Sequence, residues 1–404
     1  MSLAPADVEH LVRDLGAGDP TPRDMRTLRA VQLARNQVLI EAVRRGVAER
    51  GGVAERGGVA ERGGDGASAS ASFETLAELQ EAAPEVMAEL LVLPQVGCWA
   101  VESLRLLRRR EQPDLAYLAA FTAGAAIRAG RRPELTPGTY VPGLGTYVGG
   151  GWRGLPWLRA EADGLALAVR LEAGDPYLAG YGPRGAAEPG PWRPSLRAAW
   201  RTLAERHRPA AEAIAAGFTT LVPLASRPGG KPASATSGWA YGAIALSPPP
   251  DAVTLAESLV HEIRHLVLGA VEDVVPLADA ADPRRWYAPW RSDPRPLGAL
   301  LQGCYASMAI TAFWRTEHAC GPPELRERAE AEYAHRRAIT AGALRRTAES
   351  GALTAAGETL VAGLRARLEP WLGERLSPAA EVLAERRGAE HRARWLRANP
   401  GFTL

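Results

Sequence analysis

Residues 255–268, with the sequence LAESLVHEIRHLVL, are the stretch on which the fold prediction is built. As an α-helix this stretch is apolar along one side and carries His261 and His265 four residues apart, so both side chains project from one face. With Glu262 it forms a His-Glu-x-x-His motif, whose imidazoles are spaced to bind one metal ion beside a carboxylate. The alternative is a buried helix with incidental polar residues, which is unfavourable because a buried His-Glu pair without a partner is costly.

The residues before the motif predict a rigid support for it. Residues 237–248, SGWAYGAIALSP, are apolar and β-prone, and they lead through a run of prolines into the helix. Thr254 is the predicted N-cap, with Glu257 three residues later in a capping-box arrangement. The sequence therefore predicts a strand that leads directly into a metal-binding helix.

Helical periodicity dominates both ends of the chain, and strand-like alternation is confined to the middle. The pattern predicts a mainly α protein with one small, mostly antiparallel sheet, an α+β fold in which the HExxH helix packs beside the sheet. His335 and His391, near the C-terminus, are predicted to be exposed. Helices are predicted over residues 5–44 (with a turn), 73–129, 195–217, 297–316 and 322–398, and strands over 165–171 and 218–224.

Composition divides the chain into five predicted segments. The hexapeptide GVAERG is repeated three times over residues 46–63, and an Ala/Ser-rich run follows, which indicates a low-complexity linker. The segments are an N-terminal helical segment (1–44), the linker (45–72), a helical and strand-rich part of the core (73–248), a metal-site core (249–320) and a C-terminal helical tail (321–404).

Composition also narrows the function classes. The 404 residues are 46% hydrophobic and carry a net charge of +2, with acidic and basic residues interleaved, so no basic stripe points to nucleic acid. Cys98, Cys304 and Cys320 lack CxxC spacing, which argues against a disulfide framework or a thiolate metal site. Neither a signal peptide nor an apolar run of about 18 residues is evident, so a soluble, cytoplasmic protein without a membrane span is predicted.

Several segments around the motif together resemble a known family. They are similar to HExxH-motif peptide-modification proteins found with ribosomally made, post-translationally modified peptides, and relatives of this region also occur fused to radical-SAM maturases. The close resemblance covers about residues 237–316. The segments are AYGAIALS (240–247), LVHEIRH (259–265), VPL (275–277), YAPWRSDPRP (287–296) and GCYA (303–306).

The resemblance implies an iron(II)- and 2-oxoglutarate-dependent hydroxylase that acts on the β-carbon of a side chain in a ribosomal precursor peptide. It also implies an association with a radical-SAM maturase. His261 and His265 would be metal ligands, and Gln302 stands where the family usually has a third histidine; an amide oxygen binds metal more weakly than imidazole. On chemistry alone, the third ligand could instead be Glu272, Asp279, Asp282 or His318.

Two arginines in the proline-stiffened loop after the motif are candidates for binding 2-oxoglutarate. A planar guanidinium suits a carboxylate better than lysine does, and Arg291 and Arg295 are the predicted partners. The alternative is that both are structural or surface arginines. The resemblance favours the binding role.

Two rival functions remain open. In a zinc metallopeptidase that processes a precursor peptide, Glu262 would be the general base, whereas in an oxygenase it would orient a ligand histidine. Against a thermolysin-like peptidase, the position of its third ligand, a glutamate, holds Arg285. The other rival is a non-catalytic peptide-binding relative with a degraded site.

Overall fold

The computed structural model describes residues 4–56, 63–182, 185, 188–226 and 232–402. The protein is 63% helical, with two short 3-10 turns, so the predicted mainly α, α+β class is confirmed. The helices are α1 (Pro5–Ala17), α2 (Pro22–Arg56), α3 (Gly63–Ala82), α4 (Pro84–Leu91), α5 (Pro94–Arg108), α6 (Leu115–Arg128), α7 (Trp192–Arg206), α8 (Arg208–Gly217), α9 (Ala252–Glu272), α10 (Leu297–Cys320), α11 (Arg326–Ala348), α12 (Ala355–Leu372) and α13 (Pro378–Ala398).

The strands form two sheets rather than the single sheet that the sequence predicts. A three-stranded antiparallel sheet has the order β1-β2-β3, and a five-stranded mixed sheet has the order β4-β5-β6-β8-β7, in which the β5–β6 and β6–β8 pairs are parallel. The strands are β1 (Tyr140–Val141), β2 (Gly145–Tyr147), β3 (Trp152–Gly154), β4 (Trp157–Ala162), β5 (Leu165–Leu171), β6 (Thr220–Pro223), β7 (Ser234–Ala235) and β8 (Ala243–Leu246).

The parallel pairs explain why the middle of the larger sheet has little alternation. Parallel strands need a crossover connection, and α7 and α8 provide it between β5 and β6. β6 and β8 are buried along their whole length, whereas β4 alternates between exposed and buried positions. Strands covered on both faces have continuous apolar sequences, as these two do.

The HExxH helix α9 is central to the fold. It packs against α10, α7, α8 and α2, and it also contacts β7 and β8, as predicted for a helix beside the sheet. Its N-cap is Asp251 rather than the predicted Thr254, because the Asp251 carboxylate accepts a hydrogen bond of 2.7 Å from the Thr254 amide. Thr254 already lies inside the helix, and Glu257 pairs with Arg336 instead of completing a capping box.

Both ends of the chain share one hydrophobic core with this central helix. Leu11 and Leu15 of α1 and Leu360 of α12 belong to the same hydrophobic core as Ile263 of α9. α1 and α12 approach closely because Gly16 faces the α12 backbone; a Cβ atom there would lie 3.0 Å from the Leu360 carbonyl oxygen. The predicted N-terminal segment and C-terminal tail therefore support the predicted metal-site core.

The helices differ from prediction most clearly at the predicted linker and in the region 195–217. α2 continues to Arg56 and α3 begins at Gly63, so helix covers both ends of the predicted linker 45–72, and residues 57–62 lie outside the described residues. The single helix predicted over 195–217 is two helices. They meet at His207, because Pro209 lacks the amide hydrogen needed inside a continuous helix.

α10 is buried in the core. Within the described residues it is the one helix long and apolar enough to cross a membrane, while α4 and α5 pass that test only as a pair bent by 72°. However, 78% of the apolar window of α10 is buried, against α9 and α11. The core helix of a soluble protein has these properties, so the structure is compatible with a soluble protein.

Candidate functional site

A polar cleft of about 740 Å³ lies between α9, α10 and the loop that joins them. We call it the histidine cleft. All six site residues predicted from the sequence line it, although their roles remain predictions. The predicted residues in the cleft are His261, Glu262 and His265 of α9, Arg291 and Arg295 of the loop, and Gln302 of α10.

The two imidazoles face each other across one turn of α9. Their Nε2 atoms are 3.1 Å apart, and the ring planes are inclined at 80°. Two nitrogens at this separation, each about 2.1 Å from a shared ion, would subtend roughly 95° at it, which metal sites with several ligands tolerate. The separation of His261 and His265 therefore fits joint metal binding.

The environment of His261 favours the neutral, metal-binding form of imidazole. Desolvation by the cleft walls lowers the pKa of His261 well below its ordinary value, and His265 and Arg336 lower it further. Its Nδ1 atom is buried and has no hydrogen-bond partner among the described residues. The proton position on this ring is therefore not determined by a neighbour on the Nδ1 side.

Glu262 is buried beside the histidine pair. Its Oε1 atom lies 3.8 Å from His261 Nε2, and hydroxyls of Ser234 and Thr236, at β7, hydrogen bond to its carboxyl group. Burial raises the pKa of Glu262, although His265 and the two hydroxyls oppose that shift. A carboxyl group here can accept a proton near the metal-facing side of the histidines.

Gln302 contacts the other nitrogen of His265. Its Oε1 atom lies 3.2 Å from His265 Nδ1, and its Nε2 atom donates a hydrogen bond of 2.6 Å to Glu272 Oε2. Glu272 reaches this position because α9 continues past Gly269, as it would have to for a residue two turns after His265. The amide oxygen thus lies on the side of the imidazole away from His261.

The remaining predicted third ligands lie elsewhere. Asp279 accepts a hydrogen bond from the Ala281 amide, and Asp282 pairs with Arg284 at 2.8 Å. His318 is about four turns farther along α10 than Gln302 and stacks on Tyr333. Within the described part of the chain, no three His, Cys, Asp or Glu side chains are arranged to hold a metal ion. Of the predicted ligands, the two imidazoles are the pair whose separation of 3.1 Å suits a shared metal ion.

The loop before α10 presents both candidate arginines. Its ends are joined by backbone hydrogen bonds of 2.7 and 2.9 Å between Trp286 and Arg295. Asp293 bridges the two guanidinium groups, at 3.1 Å from Arg291 Nε and 2.9 Å from Arg295 Nη1. Any carboxylate that these arginines bind would have to share them with Asp293.

Several contacts in the cleft were not predicted from the sequence. Arg336 of α11 reaches the cleft, and Trp239 lines it from the segment before β8. The loop contacts α13, because Tyr287 Oη of the loop lies 2.8 Å from His391 Nδ1 of α13. His391 and His335 were predicted to be exposed, but both are half-buried. These partners are distant in sequence and carry no motif that could have identified them.

A larger groove of about 980 Å³ lies on the other side of Asp273. Its described lining is mostly aliphatic and contains no histidine, and its charged residues include Arg35 and Asp273, which form an ion pair at 3.3 Å. We therefore place the candidate site in the smaller histidine cleft. The aliphatic residues of the larger groove include Val8, Val12, Val31, Val38, Leu39, Val274 and Val275.

The fold and the cleft together define a class: a mainly helical α+β protein with a two-histidine HExxH cleft between two core helices. Comparison with known protein families and with curated proteins found no match for this chain. Assignment of a function must therefore come from the chemistry of the site and from the resemblance described above.

Proposed function

We propose that this protein is an iron(II)- and 2-oxoglutarate-dependent hydroxylase that acts on the β-carbon of a side chain in a ribosomally made precursor peptide, in the cytoplasm. The observation that carries the proposal is the pair of imidazole Nε2 atoms 3.1 Å apart in a cleft that also contains two arginines. The resemblance over residues 237–316 supports the same reading, including an association with a radical-SAM maturase.

The chain's own residues would hold and orient the reactants. Bound iron(II) and 2-oxoglutarate would supply the oxidising chemistry. His261 and His265 would hold the metal, and the buried Glu262 carboxyl group, 3.8 Å from His261 Nε2, would help to orient that histidine. Arg291 and Arg295 would bind the distal carboxylate of the keto acid by charge-assisted hydrogen bonds, in exchange for part of their contact with Asp293.

The dimensions of the cleft suit a small co-substrate together with one peptide side chain. Ligand pockets commonly enclose about 300–1,000 Å³, and this cleft has about 740 Å³. Trp239 and Trp290 provide apolar surface on its walls. A peptide segment could therefore lie across the opening with one side chain directed toward the histidines.

A zinc metallopeptidase is the second candidate. The observation in its favour is the buried Glu262 carboxyl group, 3.8 Å from His261 Nε2, whose pKa is raised by burial. Such a group could take a proton from the water that attacks a peptide bond. Against this reading, Arg285 at the thermolysin-like ligand position is exposed and does not line the cleft.

Metal analysis and a turnover assay would test the proposal. We expect the protein reconstituted with iron(II) under anaerobic conditions to convert 2-oxoglutarate into succinate when oxygen is admitted. His261→Ala and His265→Ala should each abolish that conversion, because each removes a metal ligand. His10→Ala, which changes an exposed histidine of α1, is the matched control and should keep full activity.

The outcomes separate the candidates. Zinc in the purified protein together with peptide cleavage would support the metallopeptidase. Retained succinate formation in either histidine variant would contradict the hydroxylase. If the protein bound neither iron nor zinc, the non-catalytic peptide-binding relative would be the remaining candidate.

A further inference from the structure

Three side chains connect the end of α9 to the histidine pair. Glu272 accepts a 2.6 Å hydrogen bond from Gln302 Nε2, and Gln302 Oε1 lies 3.2 Å from His265 Nδ1. The opposite nitrogen of that ring, Nε2, faces His261 at 3.1 Å. The contacts form a continuous path from a carboxylate to the nitrogen that faces the proposed metal position.

The hydrogen-bonding capacity of each group gives this path a direction. An amide NH2 group only donates and an amide oxygen only accepts. If the Gln302 amide were turned over, its oxygen would face a Glu272 carboxylate oxygen, and two acceptors would be opposed. The carboxylate therefore selects the orientation in which Gln302 Oε1 faces His265.

That orientation determines which nitrogen of His265 carries the proton. An oxygen acceptor at Nδ1 is satisfied only when Nδ1 bears hydrogen, and the neutral ring then has its lone pair on Nε2. Metal-binding histidines commonly donate their second N–H to an oxygen in this way, which fixes the tautomer and the ring orientation. On His265, Gln302 Oε1 is the oxygen positioned to accept this hydrogen bond from Nδ1.

The same geometry bears on the role of Gln302 itself. Its oxygen contacts Nδ1, and the two nitrogens of an imidazole point to different sides of the ring. The amide oxygen is therefore engaged away from the space that the two Nε2 atoms share. This differs from the sequence prediction, in which Gln302 is the third metal ligand.

We propose that Gln302, oriented by Glu272, is a positioning residue that aligns His265 for metal binding and is not itself a metal ligand. The inference rests on the proposed binding of a metal by His261 and His265. It assigns Glu272 a role as well, since its carboxylate selects the amide orientation that the histidine needs.

The neighbouring Gln32 provides a matched control. Gln32 Nε2 donates a 2.8 Å hydrogen bond to Asp273 Oδ2, so it makes the same kind of amide–carboxylate contact one residue beyond Glu272. No hydrogen bond joins Gln32 to either histidine within the described residues. Gln32→Leu should therefore disturb local packing as Gln302→Leu does, without affecting the metal.

The test is a metal titration of the full-length protein with cobalt(II) alone, followed by absorption and NMR spectra of the cobalt form. Gln302→Leu should weaken cobalt binding by about 10- to 100-fold, the usual loss when such a partner is removed. Glu272→Gln keeps the size of the side chain but lets the amide turn over, so it should lose less. Gln32→Leu should bind cobalt as the wild type does.

A spectroscopic readout separates positioning from ligation. In wild type, the Nδ1 proton of a cobalt-bound His265 should give a strongly shifted, slowly exchanging signal, because Gln302 shields it. In Gln302→Leu that signal should broaden through exchange with water, while the cobalt absorption bands keep their positions and intensities.

Three cobalt results would count against the inference. A change in the cobalt absorption bands of Gln302→Leu would mean that Gln302 is a ligand, and unchanged affinity would mean that it does not position His265. Unchanged cobalt binding by His265→Ala would mean that His265 is not a metal ligand, and the proposed metal site would be wrong. If cobalt binding responds as expected but the iron form yields no succinate, the positioning role stands and the proposed hydroxylase activity fails.

Discussion

Arg264 and His265 are adjacent residues of α9 with opposite surroundings. The Arg264 side chain is buried and forms an ion pair with Asp19, at the turn between α1 and α2, and it lies 3.2 Å from Tyr305 Oη of α10. His265 opens onto the histidine cleft, where its Nε2 atom meets another imidazole instead of a carboxylate. Arg264 thus connects α9 to α10 and to the turn between α1 and α2, whereas His265 faces the histidine cleft.

The difference shows how to divide the polar residues of a buried helix. A charge matched by an opposite charge inside the protein is explained by the fold, because removing its partner would leave a buried charge uncompensated. Two imidazoles that face each other across 3.1 Å, with no opposite charge between them in the described part of the chain, are not explained in that way. The motif HEIRH thus combines one residue whose charge the fold explains with two histidines that are proposed to bind a metal.

The sharpest test of this division is to replace the two neighbours separately. Arg264→Met should lower the free energy of unfolding by about 3 kcal/mol, because the half-buried Asp19 would be left with only the more distant Arg367 nearby. Its cobalt affinity should be unchanged under folding conditions. His265→Ala should instead keep the free energy of unfolding and lose cobalt affinity. Urea denaturation and cobalt titration of both proteins provide the measurements.

The control for Arg264→Met is Arg367→Met. Arg367 lies 3.4 Å from Asp19, so its loss should cost less than that of Arg264, which is fully buried. If Arg264→Met abolished cobalt binding in a protein that unfolds cooperatively at normal denaturant concentrations, the division between the two residues would be wrong.

The shape of the opposite wall of the cleft provides a second, smaller test. A Cβ atom on Gly303 would lie 2.3 to 2.5 Å from the ring of Trp290, so Gly303→Ala must displace that indole. We expect a loss of about 1–3 kcal/mol in the free energy of unfolding from overpacking. The tryptophan fluorescence should also change, because the displaced indole is that of Trp290.

Gly298 in the same helix is the matched control for this substitution. No atom lies within 4 Å of a Cβ atom built there. Gly298→Ala should therefore be neutral or stabilise α10 by up to about 1 kcal/mol, since alanine is the better helix former. Equal changes in the free energy of unfolding for Gly303→Ala and Gly298→Ala would show that the Trp290 contact does not determine the cost of a side chain at position 303.

The sequence predicts the parts of this site that depend on local periodicity. Four-residue spacing was sufficient to place His261 beside His265, and seven-residue spacing placed Glu272 on the same side once the helix continued past Gly269. The mainly α class followed from helical patterns at both ends of the chain. These features depend on repeats of about 3.6 residues, which any short window of sequence displays.

Other features depend on residues that are far apart in the chain. Nothing near Arg264 indicates that Asp19, in the turn between α1 and α2, would neutralise it. Local sequence likewise does not indicate that β5, β6 and β8 pair in parallel, or that β1, β2 and β3 form a separate sheet. The orientation of the Gln302 amide likewise depends on Glu272, thirty residues away. Tertiary contacts select these arrangements, and local propensity does not encode them.

The N-terminus of α9 supplies the smallest test, at a polar residue with complete local partners. Asp251→Ala should cost about 1 kcal/mol of unfolding free energy, because the Thr254 amide loses its acceptor. Burial alone would raise the pKa of Asp251, but hydrogen bonds from Thr254 and the charge of Arg328 outweigh it and hold the pKa below its ordinary value. The charged cap therefore stabilises the fold above about pH 4 and loses that contribution as the pH falls through the lowered pKa.

Asp251→Asn separates the cap from the charge, since asparagine also accepts at an N-cap but does not titrate. The stability difference between wild type and Asp251→Asn, measured by urea denaturation, should be present near pH 6 and shrink toward pH 3. Cobalt affinity should be the same in both proteins, because the cap lies almost three turns before His261 and makes no contact with the cleft. If the cap variant did lose cobalt, metal binding would depend on the stability of α9 as a whole, and the contrast between Arg264 and His265 would no longer distinguish assembly from ligand chemistry.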